Sequence, residues 1–438
     1  YALPNSNILY TSSSPSGGEV FCKITNSQVF FTMHAPFRTL LLLLLSVMGG
    51  FSLSFSPAEA KAPAMQMADD STAIKICQRV DSLLTPELLT RSQVGLHIYD
   101  LTADSTILAF GADQLMRPAS NQKVITAVTA LSQLGTDFNF RTSLYGEGSI
   151  NDSTLEGNIY IKGGFDPRFG HDDLWALIHA LNARGVHAIA GDVILDLSLK
   201  DSARLGWGWC WDDDNPPLTP LLYNQRDDFS AVLSAALKDA GIRLAGSLIE
   251  GRISSGASLW TVRSHTIDQI LLRMMKQSDN LYAEALFYQL AAHSGKAYAG
   301  RKQAVAYIKE LARHQGLTPA DFSFADGSGL SLYNYASPRL LTSFLRYAYT
   351  HEGIFLHLQP SLPLAGVDGT LRKRMTSGPA YANVSAKTGT LEGVSTLSGY
   401  CKAPNGHILC FAIMNQGILR QSVAHRFQDK VCEAMTAP

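Results

Sequence analysis

The chain has 438 residues, a formal net charge of −1 and a hydrophobic content of 46%. A chain of this length and composition can form two or three domains with substantial cores. The charge is balanced and no basic run is present, so the composition gives no support to a nucleic-acid-binding protein.

The first 60 residues predict an exported protein. Residues 33–60 are typical of a secretory signal peptide, because basic residues precede six consecutive leucines at 40–45 and a small-x-small cleavage site follows at 58–60. The polar residues 1–32 are interpreted as an upstream extension. An uncleaved membrane anchor is the alternative, although two glycines interrupt the apolar run. We expect a periplasmic or otherwise extracytoplasmic protein, with peripheral association with the cell envelope left open.

Residues 61–140 begin a domain that is interrupted and resumed later. After a polar lead-in, hydrophobic periodicity predicts a helix over 71–84, strands over 94–100 and 106–110, and a buried helix that begins after Pro118 and ends near Gly135. Residues 141–262 are predicted to form short strands and are rich in glycine. This stretch predicts an inserted accessory domain of mixed α/β type, with a strand over 189–197.

Residues 263–438 are predicted to be mainly helical and to contain β-hairpins near their end. Thr266 and Gln269 fit a capping box, and Ser337 followed by Pro338 fits a cap and first helical residue. The predicted helices are 281–292, 299–315, 338–350 and 421–435. We expect this stretch to form one discontinuous domain with residues 61–140, in which an antiparallel sheet is flanked by helices and joined by an all-helical subdomain.

None of the six cysteines forms a CxxC pair, and no zinc or calcium pattern is complete, so no metal is expected. Cys401 and Cys410 flank Asn405-Gly406, a signal for a two-residue hairpin turn. Such a turn places the two cysteines directly opposite each other. A disulfide and two buried free thiols are both compatible with that pairing.

Three short motifs contain residues that can carry chemistry: Ser120-x-x-Lys123, Ser278-Asp279-Asn280 and Lys387-Thr388-Gly389. Residues three apart on a helix share a face, so the Ser120 hydroxyl and the Lys123 amine can meet. A buried lysine loses its proton readily and can act as a base, which makes Ser120 a candidate nucleophile. A single Ser-x-x-Lys pair is common by chance, but all three motifs in this order are rare. Penicillin-binding proteins and class A β-lactamases carry this trio.

From about Val94 to its C-terminus, the chain closely resembles the penicillin-binding-protein-4 group of D-alanyl-D-alanine carboxypeptidases, peptidase family S13. Beyond the trio, the resemblance includes segments 117–120, 163–167, 326–331 and 362–371. The family usually has a glycine where this chain has Phe165. The resemblance implies a penicillin-binding transpeptidase or serine β-lactamase-like fold, no cofactor, and peptidoglycan peptides ending in D-Ala-D-Ala and β-lactam antibiotics as the molecules bound.

The resemblance also implies a role for each motif residue. Ser120 attacks the substrate carbonyl and Lys123 takes its proton, Ser278 relays a proton to the leaving D-alanine, and Asn280 holds the substrate amide and the lysine amine. Lys387, Thr388 and Thr390 bind the terminal carboxylate, while Gly389 lets the substrate lie against its strand. The implied oxyanion hole consists of the backbone N–H groups of Ser120 and Thr390.

Two further residues have open interpretations. Asp166 either shapes its turn, as Asp residues often do, or recognises a charged side chain of the peptide. Arg374 is either an ordinary surface arginine or a carboxylate-binding partner for the same group. Asp279 is interpreted as structural.

Two rival functions remain at this point. A serine β-lactamase shares the three motifs, but the chain lacks a distinct Glu-x-x-Leu-Asn segment to position a deacylating water. A catalytically inactive peptidoglycan-binding protein is disfavoured by the intact trio. We therefore predict a carboxypeptidase, with endopeptidase activity on peptide crosslinks left open.

Overall fold

The computed structural model describes residues 70–212 and 214–438. The predicted upstream extension and signal peptide lie outside the described residues. Within the described part of the chain, no helix is long and apolar enough to cross a membrane.

The described chain contains both helices and strands, with five consecutive helices between β9 and β10. The helices are α1 Asp70–Leu83, α2 Pro86–Arg91, α3 Gln122–Leu134, α4 His171–Asn182, α5 Phe229–Asp239, α6 Ile267–Lys276, α7 Asn280–His293, α8 Arg301–His314, α9 Pro338–Thr350, α10 Glu352–Ser361 and α11 Gln421–Thr436. The strands are β1 Gln93–Asp100, β2 Ser105–Phe110, β3 Asn139–Asn151, β4 Thr154–Lys162, β5 Ala188–Ile189, β6 Val193–Asp196, β7 Arg243–Leu244, β8 Leu248–Glu250, β9 Ser258–Thr266, β10 Ser385–Leu391, β11 Val394–Lys402 and β12 Ile408–Gln416.

The first sheet joins the two ends of the described chain. Its five antiparallel strands lie in the order β10-β11-β12-β1-β2, so the C-terminal hairpin pairs with the N-terminal strands. Helices α1 and α11 cover one face, and α9 packs against the other. Because both faces are covered, the middle strand β12 is apolar along most of its length rather than alternating.

The helical part of the molecule packs around α3 and α7. Eleven consecutive residues of α7, from Leu281 to Ala291, are buried. A helix that is apolar on all sides is expected inside a core. The predicted capping box of Thr266 and Gln269 is confirmed at the start of α6, and the Ser337 side chain caps α9 as predicted, accepting a hydrogen bond from the Leu340 N–H at 3.1 Å.

The second sheet is mixed and has seven strands, which begin at Asn139 and end at Thr266. Strand β4 pairs in antiparallel fashion with β3 and in parallel with both β5 and β6. The predicted strand over 189–197 is therefore two short strands, interrupted at residues 190–192. Helices α4 and α5 complete a separate hydrophobic core on this sheet.

The hairpin between β11 and β12 differs from its prediction. The Ala403 N–H donates to the His407 carbonyl at 2.8 Å, which leaves a three-residue loop with Gly406 in the left-handed region at φ 89°. Cys410 therefore lies opposite Tyr400, and Cys401 points to the other face of the sheet. The disulfide alternative is wrong, and the alternative of two buried free thiols is confirmed.

Candidate active site

Ser120 lies in a single 3-10 turn, Ala119–Asn121, immediately before α3. The turn is anchored to β11, because the Asn121 side chain donates to the Thr396 hydroxyl at 2.6 Å and accepts a hydrogen bond from Ser398. The Thr396 hydroxyl in turn donates to the Pro118 carbonyl at 2.8 Å. Ala119 has φ 47°, a conformation that costs a non-glycine residue free energy and is often found at functional sites. The sheet therefore fixes the position of the predicted nucleophile.

The Lys123 amine lies one turn further on and is completely buried. Its Nζ atom is 3.0 Å from the Ser120 Oγ atom, 2.7 Å from the Asn280 Oδ1 atom and 2.8 Å from the Ser328 carbonyl oxygen. The first two contacts are those that the motifs predict. The third, from a backbone carbonyl, was not anticipated from the sequence.

Burial lowers the pKa of Lys123 to about 8, although the carboxylates of Asp326, Glu284 and Asp279 act in the opposite direction. The three atoms that accept hydrogen bonds from the amine belong to neutral groups. None of them stabilises the ammonium form as a directly bonded carboxylate would. The environment therefore favours a lysine that can give up its proton near neutral pH.

Ser278 and Lys387 form the second pair of the site. The Lys387 amine donates to the Ser278 hydroxyl at 2.8 Å and to the Thr388 carbonyl at 2.7 Å. Ser278 lies between α6 and α7 with φ 61°, in the left-handed region. Burial and then the nearby Lys123 amine hold the pKa of Lys387 well below its usual value. The loop and the strand thus meet beside the nucleophile.

Strand β10 is an edge of the first sheet, and its outer side is partly open. The Ala386 N–H donates away from β11 to the Pro363 carbonyl at 2.9 Å. Alternate residues of an antiparallel strand direct their backbone groups to the same edge, so the N–H groups of Thr388 and Thr390 also face outward. A Cβ atom on Gly389 would lie 3.0 Å from the Ser120 nitrogen, so glycine allows the strand to approach the nucleophile. This edge can accept an extended peptide as an additional strand.

The site therefore brings Ser120, Lys123, Ser278, Asn280 and Lys387 together from three separate parts of the chain. In the described residues, no group of three or more histidine, cysteine, aspartate or glutamate side chains could hold a metal ion. A buried serine–lysine pair, a second serine–lysine pair and an open strand edge are the components that acyl transfer through a serine requires.

Comparison with known proteins agrees with this geometry. The family model of the D-Ala-D-Ala carboxypeptidase 3 (S13) family matches residues 76–222 and 216–437. The chain belongs to this family. It is 27% identical over 413 residues to the D-alanyl-D-alanine carboxypeptidase DacB of Haemophilus influenzae, an alignment covering 75% of this chain and 86% of that one.

Solved structures of penicillin binding protein 4 from Haemophilus influenzae have the same fold. One superimposes with a TM-score of 0.74 at 24% identity and covers 81% of this chain and 98% of that one. A second, complexed with a novel β-lactam, has a TM-score of 0.69 at 25% identity and covers 82% and 99%. The predicted fold class and the prediction of a penicillin-binding, serine-type D-Ala-D-Ala carboxypeptidase of family S13 are confirmed.

Asp166, the first residue with an open interpretation, is a buried part of its turn. Its side chain is 0% exposed, with one oxygen accepting from the Arg168 N–H at 2.9 Å and the other 2.7 Å from the His265 Nδ1 atom. This ion pair raises the pKa of His265. Because both carboxylate oxygens are occupied, the structure favours the turn-shaping interpretation over substrate recognition.

Arg374, the second such residue, is paired within the protein. Its guanidinium donates to the Asp429 carboxylate at 2.7 and 2.9 Å and to the Gln428 side chain at 3.0 Å, both on α11. Only 11% of its side chain is exposed. The structure therefore favours a role in tying the segment before β10 to the last helix, and not the predicted binding of a substrate carboxylate. Asp279 caps α7 and pairs with Arg273 at 2.8 Å, in agreement with its structural interpretation.

The sequence did not reveal the loop behind the lysine. Ser328, Asp326 and Glu284 lie around Lys123. The family resemblance includes segment 326–331 but assigns no role to its residues. One signal was present: Glu284 is an ionisable residue in a helix whose neighbouring residues are mostly apolar, and a buried carboxylate needs partners. Periodicity alone does not show what those partners are.

Proposed function

We propose that this S13 carboxypeptidase cleaves the bond between the two terminal D-alanine residues of peptidoglycan stem peptides through an acyl-enzyme on Ser120. The observation that carries the proposal is the arrangement around the Lys123 amine. When the amine is neutral, two of its N–H bonds can serve Asn280 and Ser328. Its lone pair is then left for the Ser120 hydroxyl, 3.0 Å away.

In the acylation step, the Ser120 oxygen bonds to the carbonyl carbon of the penultimate D-alanine while its proton passes to the Lys123 nitrogen. The developing oxyanion is stabilised by the N–H groups of Ser120 and Thr390. The carbon–nitrogen bond then breaks. The proton held by Lys123 passes through the Ser278 hydroxyl to the leaving nitrogen of D-alanine, which returns Lys123 to its neutral form. Ser278 is hydrogen-bonded to Lys387.

The terminal carboxylate of the substrate lies along the open edge of β10 in this proposal. The Lys387 amine and the hydroxyls of Thr388 and Thr390 donate hydrogen bonds to it. In the free protein the Thr388 hydroxyl donates to the Thr370 hydroxyl at 2.7 Å, and it turns this proton to the carboxylate when the substrate binds. In the final step, water attacks the acyl carbon and gives a proton to the Lys123 nitrogen. Lys123 returns a proton to the Ser120 oxygen as the ester bond breaks, which releases the shortened peptide and restores the Ser120 hydroxyl.

The first test uses a labelled penicillin, which contains a reactive amide that the same serine can open. We expect stoichiometric labelling of the wild-type protein and none of Ser120→Ala. Labelling that survives in Ser120→Ala would overturn the mechanism. Rapid turnover of penicillin without release of D-alanine from a pentapeptide would instead favour the β-lactamase alternative.

The second test uses purified peptidoglycan, followed by product analysis. Release of D-alanine alone identifies a carboxypeptidase, whereas cleavage of crosslinked dimers identifies an additional endopeptidase activity. Extracytoplasmic localisation is a separate part of the proposal, and it depends on the signal-like segment 33–60. N-terminal sequencing of the mature protein checks it, and a mature chain that retains Met33 would contradict cleavage.

A further inference from the structure

Glu284 is a buried carboxylate next to the catalytic lysine that the proposed mechanism does not use. It lies on α7, four residues after Asn280, so the two side chains share a helix face. It is 1% exposed, and its Oε1 atom accepts hydrogen bonds from the N–H groups of Gly327 at 3.0 Å and Ser328 at 2.8 Å. A charge-bearing group is rarely retained in a core unless it performs a specific task.

The same short segment holds the catalytic lysine from its other side. The Ser328 carbonyl accepts the hydrogen bond from Lys123 at 2.8 Å, while the Ser328 N–H donates to Glu284. The Gly327 carbonyl accepts from the Thr126 hydroxyl on α3 at 2.8 Å. A Cβ atom on Gly329 would lie 1.8 Å from the Ala119 carbonyl oxygen. The segment is therefore pressed against the turn that carries the nucleophile.

We infer that Glu284 is a positioning residue: it fixes the peptide of Ser328 so that the carbonyl, together with Asn280, directs the Lys123 amine at Ser120. Helix α7 thus sets the lysine from two points, directly through Asn280 and indirectly through Glu284. This inference rests on the proposed function, because it assigns Glu284 to the acylation step at Ser120.

Asp326 supports the same segment from the opposite end. Its carboxylate accepts from the N–H groups of Gly329 and Ser331 at 2.8 and 2.7 Å. It also accepts from the Trp209 indole at 2.8 Å, in the loop between β6 and α5. Glu284 is thus one of two buried carboxylates that hold this loop, and it is the one bonded to the Ser328 peptide.

The charges around Lys123 give the inference a second measurable consequence. The carboxylates of Asp326, Glu284 and Asp279 each raise the pKa of Lys123, and the other nearby charge is the Lys387 amine. Burial, and then Asp326, raise the pKa of Glu284 to about 8. Below that pH the Glu284 side chain is largely uncharged, so exchanging it for a neutral amide changes little of the charge around Lys123.

The test compares acylation of Ser120 by labelled penicillin in Glu284→Ala and Glu284→Gln, each measured across a pH series. Glu284→Ala removes both hydrogen bonds to the segment, and we expect its acylation rate to fall about 100-fold because a misplaced catalytic group costs that much. Glu284→Gln keeps an oxygen acceptor, so its rate falls less. Its acid limb should stay near the wild-type pH, because below about pH 8 the substitution exchanges one largely uncharged side chain for another.

Gln289→Ala is the matched control, because Gln289 is a buried polar residue of the same helix that donates to the Gly164 carbonyl instead. We expect this control to lower thermal stability without changing the rate or the pH profile. Equal rates and profiles in wild type and both Glu284 variants would overturn the inference while leaving the proposed function intact. If Glu284→Ala does not fold, a folded Glu284→Gln whose acylation rate still falls by about 100-fold is sufficient to overturn it, because this variant keeps the acceptor. A wild type that does not acylate would overturn the proposed function itself, together with the inference.

Discussion

Within residues 70–212 and 214–438, two regions bury a lysine almost completely, and one of these two forms a reactive centre. At the active site, Lys123 contacts a hydroxyl, an amide and a backbone carbonyl, all neutral. Where the second sheet meets the helical part, Lys200 is 3.1 Å from the carboxylate of Asp201 and lies 4.7 Å from the centre of the Tyr288 ring. Burial lowers the pKa of both lysines, but Asp201 acts to retain the charge of Lys200.

The comparison teaches that burial alone does not make a lysine a base. Desolvation disfavours the ammonium form at both sites, but a directly bonded carboxylate compensates it at only one. Lys200 also donates to two backbone carbonyls, those of Asp201 and Ala203, both at 2.6 Å. The backbone of Lys200 forms an isolated β-bridge with Ala299, so this residue links the second sheet to the helical part of the molecule. The identity of the nearest acceptor therefore separates a catalytic lysine from a structural one.

The largest expected effect comes from removing each amine in turn. Lys123→Met should lower acylation of Ser120 by penicillin by about 10³-fold or more, because the proton of the nucleophile loses its acceptor. Lys200→Met should leave acylation at the wild-type rate. Comparable losses of acylation rate in the two variants would show that both lysines act on the reaction and that Lys200 is not purely structural.

The pH dependence of acylation should show the next largest effect. Lys123 reacts as the neutral amine, so the rate should rise about tenfold per pH unit below its pKa of about 8 and level off above it. Lys200→Met should not move this midpoint, which single-turnover labelling over a pH series measures. A rate that is constant through this range would mean that Lys123 does not titrate as the base.

The smallest effect is on stability and concerns the structural lysine. Asp201→Asn removes the charge partner of a buried amine, and we expect it to lower the free energy of unfolding by about 1–3 kcal/mol. Lys200→Met removes the buried charge and leaves Asp201, whose side chain is 37% exposed and can be hydrated, so it should cost less. Chemical denaturation of the two variants compares these costs. A larger loss in Lys200→Met would show that its packing matters more than its charge.

Much of the local structure followed from sequence patterns. The helix starts at Thr266 and Ser337 depend on side chains that bond to the backbone within three residues, and both were predicted correctly. The hairpin at Asn405-Gly406 was predicted with a two-residue loop, and one additional loop residue placed Cys401 and Cys410 on opposite faces. Side chains alternate along a strand, so a shift of one residue reverses the face.

The sequence predicted some residues of the candidate site correctly and left the roles of others open. The motif residues and the resemblance identified Ser120, Lys123, Ser278, Asn280 and Lys387, and the structure brings all of them together. The roles of Asp166 and Arg374, which lie outside the three motifs, were harder to predict from the sequence. Asp166 and Arg374 are charged and could each have faced a substrate, but each is paired within the protein.

The sequence by itself determined the order of the three motifs, the family, and the elements on which the motif residues lie, because these depend on residues close together in the chain. Only the tertiary structure decided which groups surround the lysines. The Ser328 carbonyl and Glu284 come from segments far from Lys123. Asp201 is the next residue after Lys200 in the chain, but sequence adjacency does not by itself direct its carboxylate at the amine. The pKa of a buried amine depends on desolvation and on its nearest acceptors. Both are set by long-range packing, which no local pattern in the sequence records.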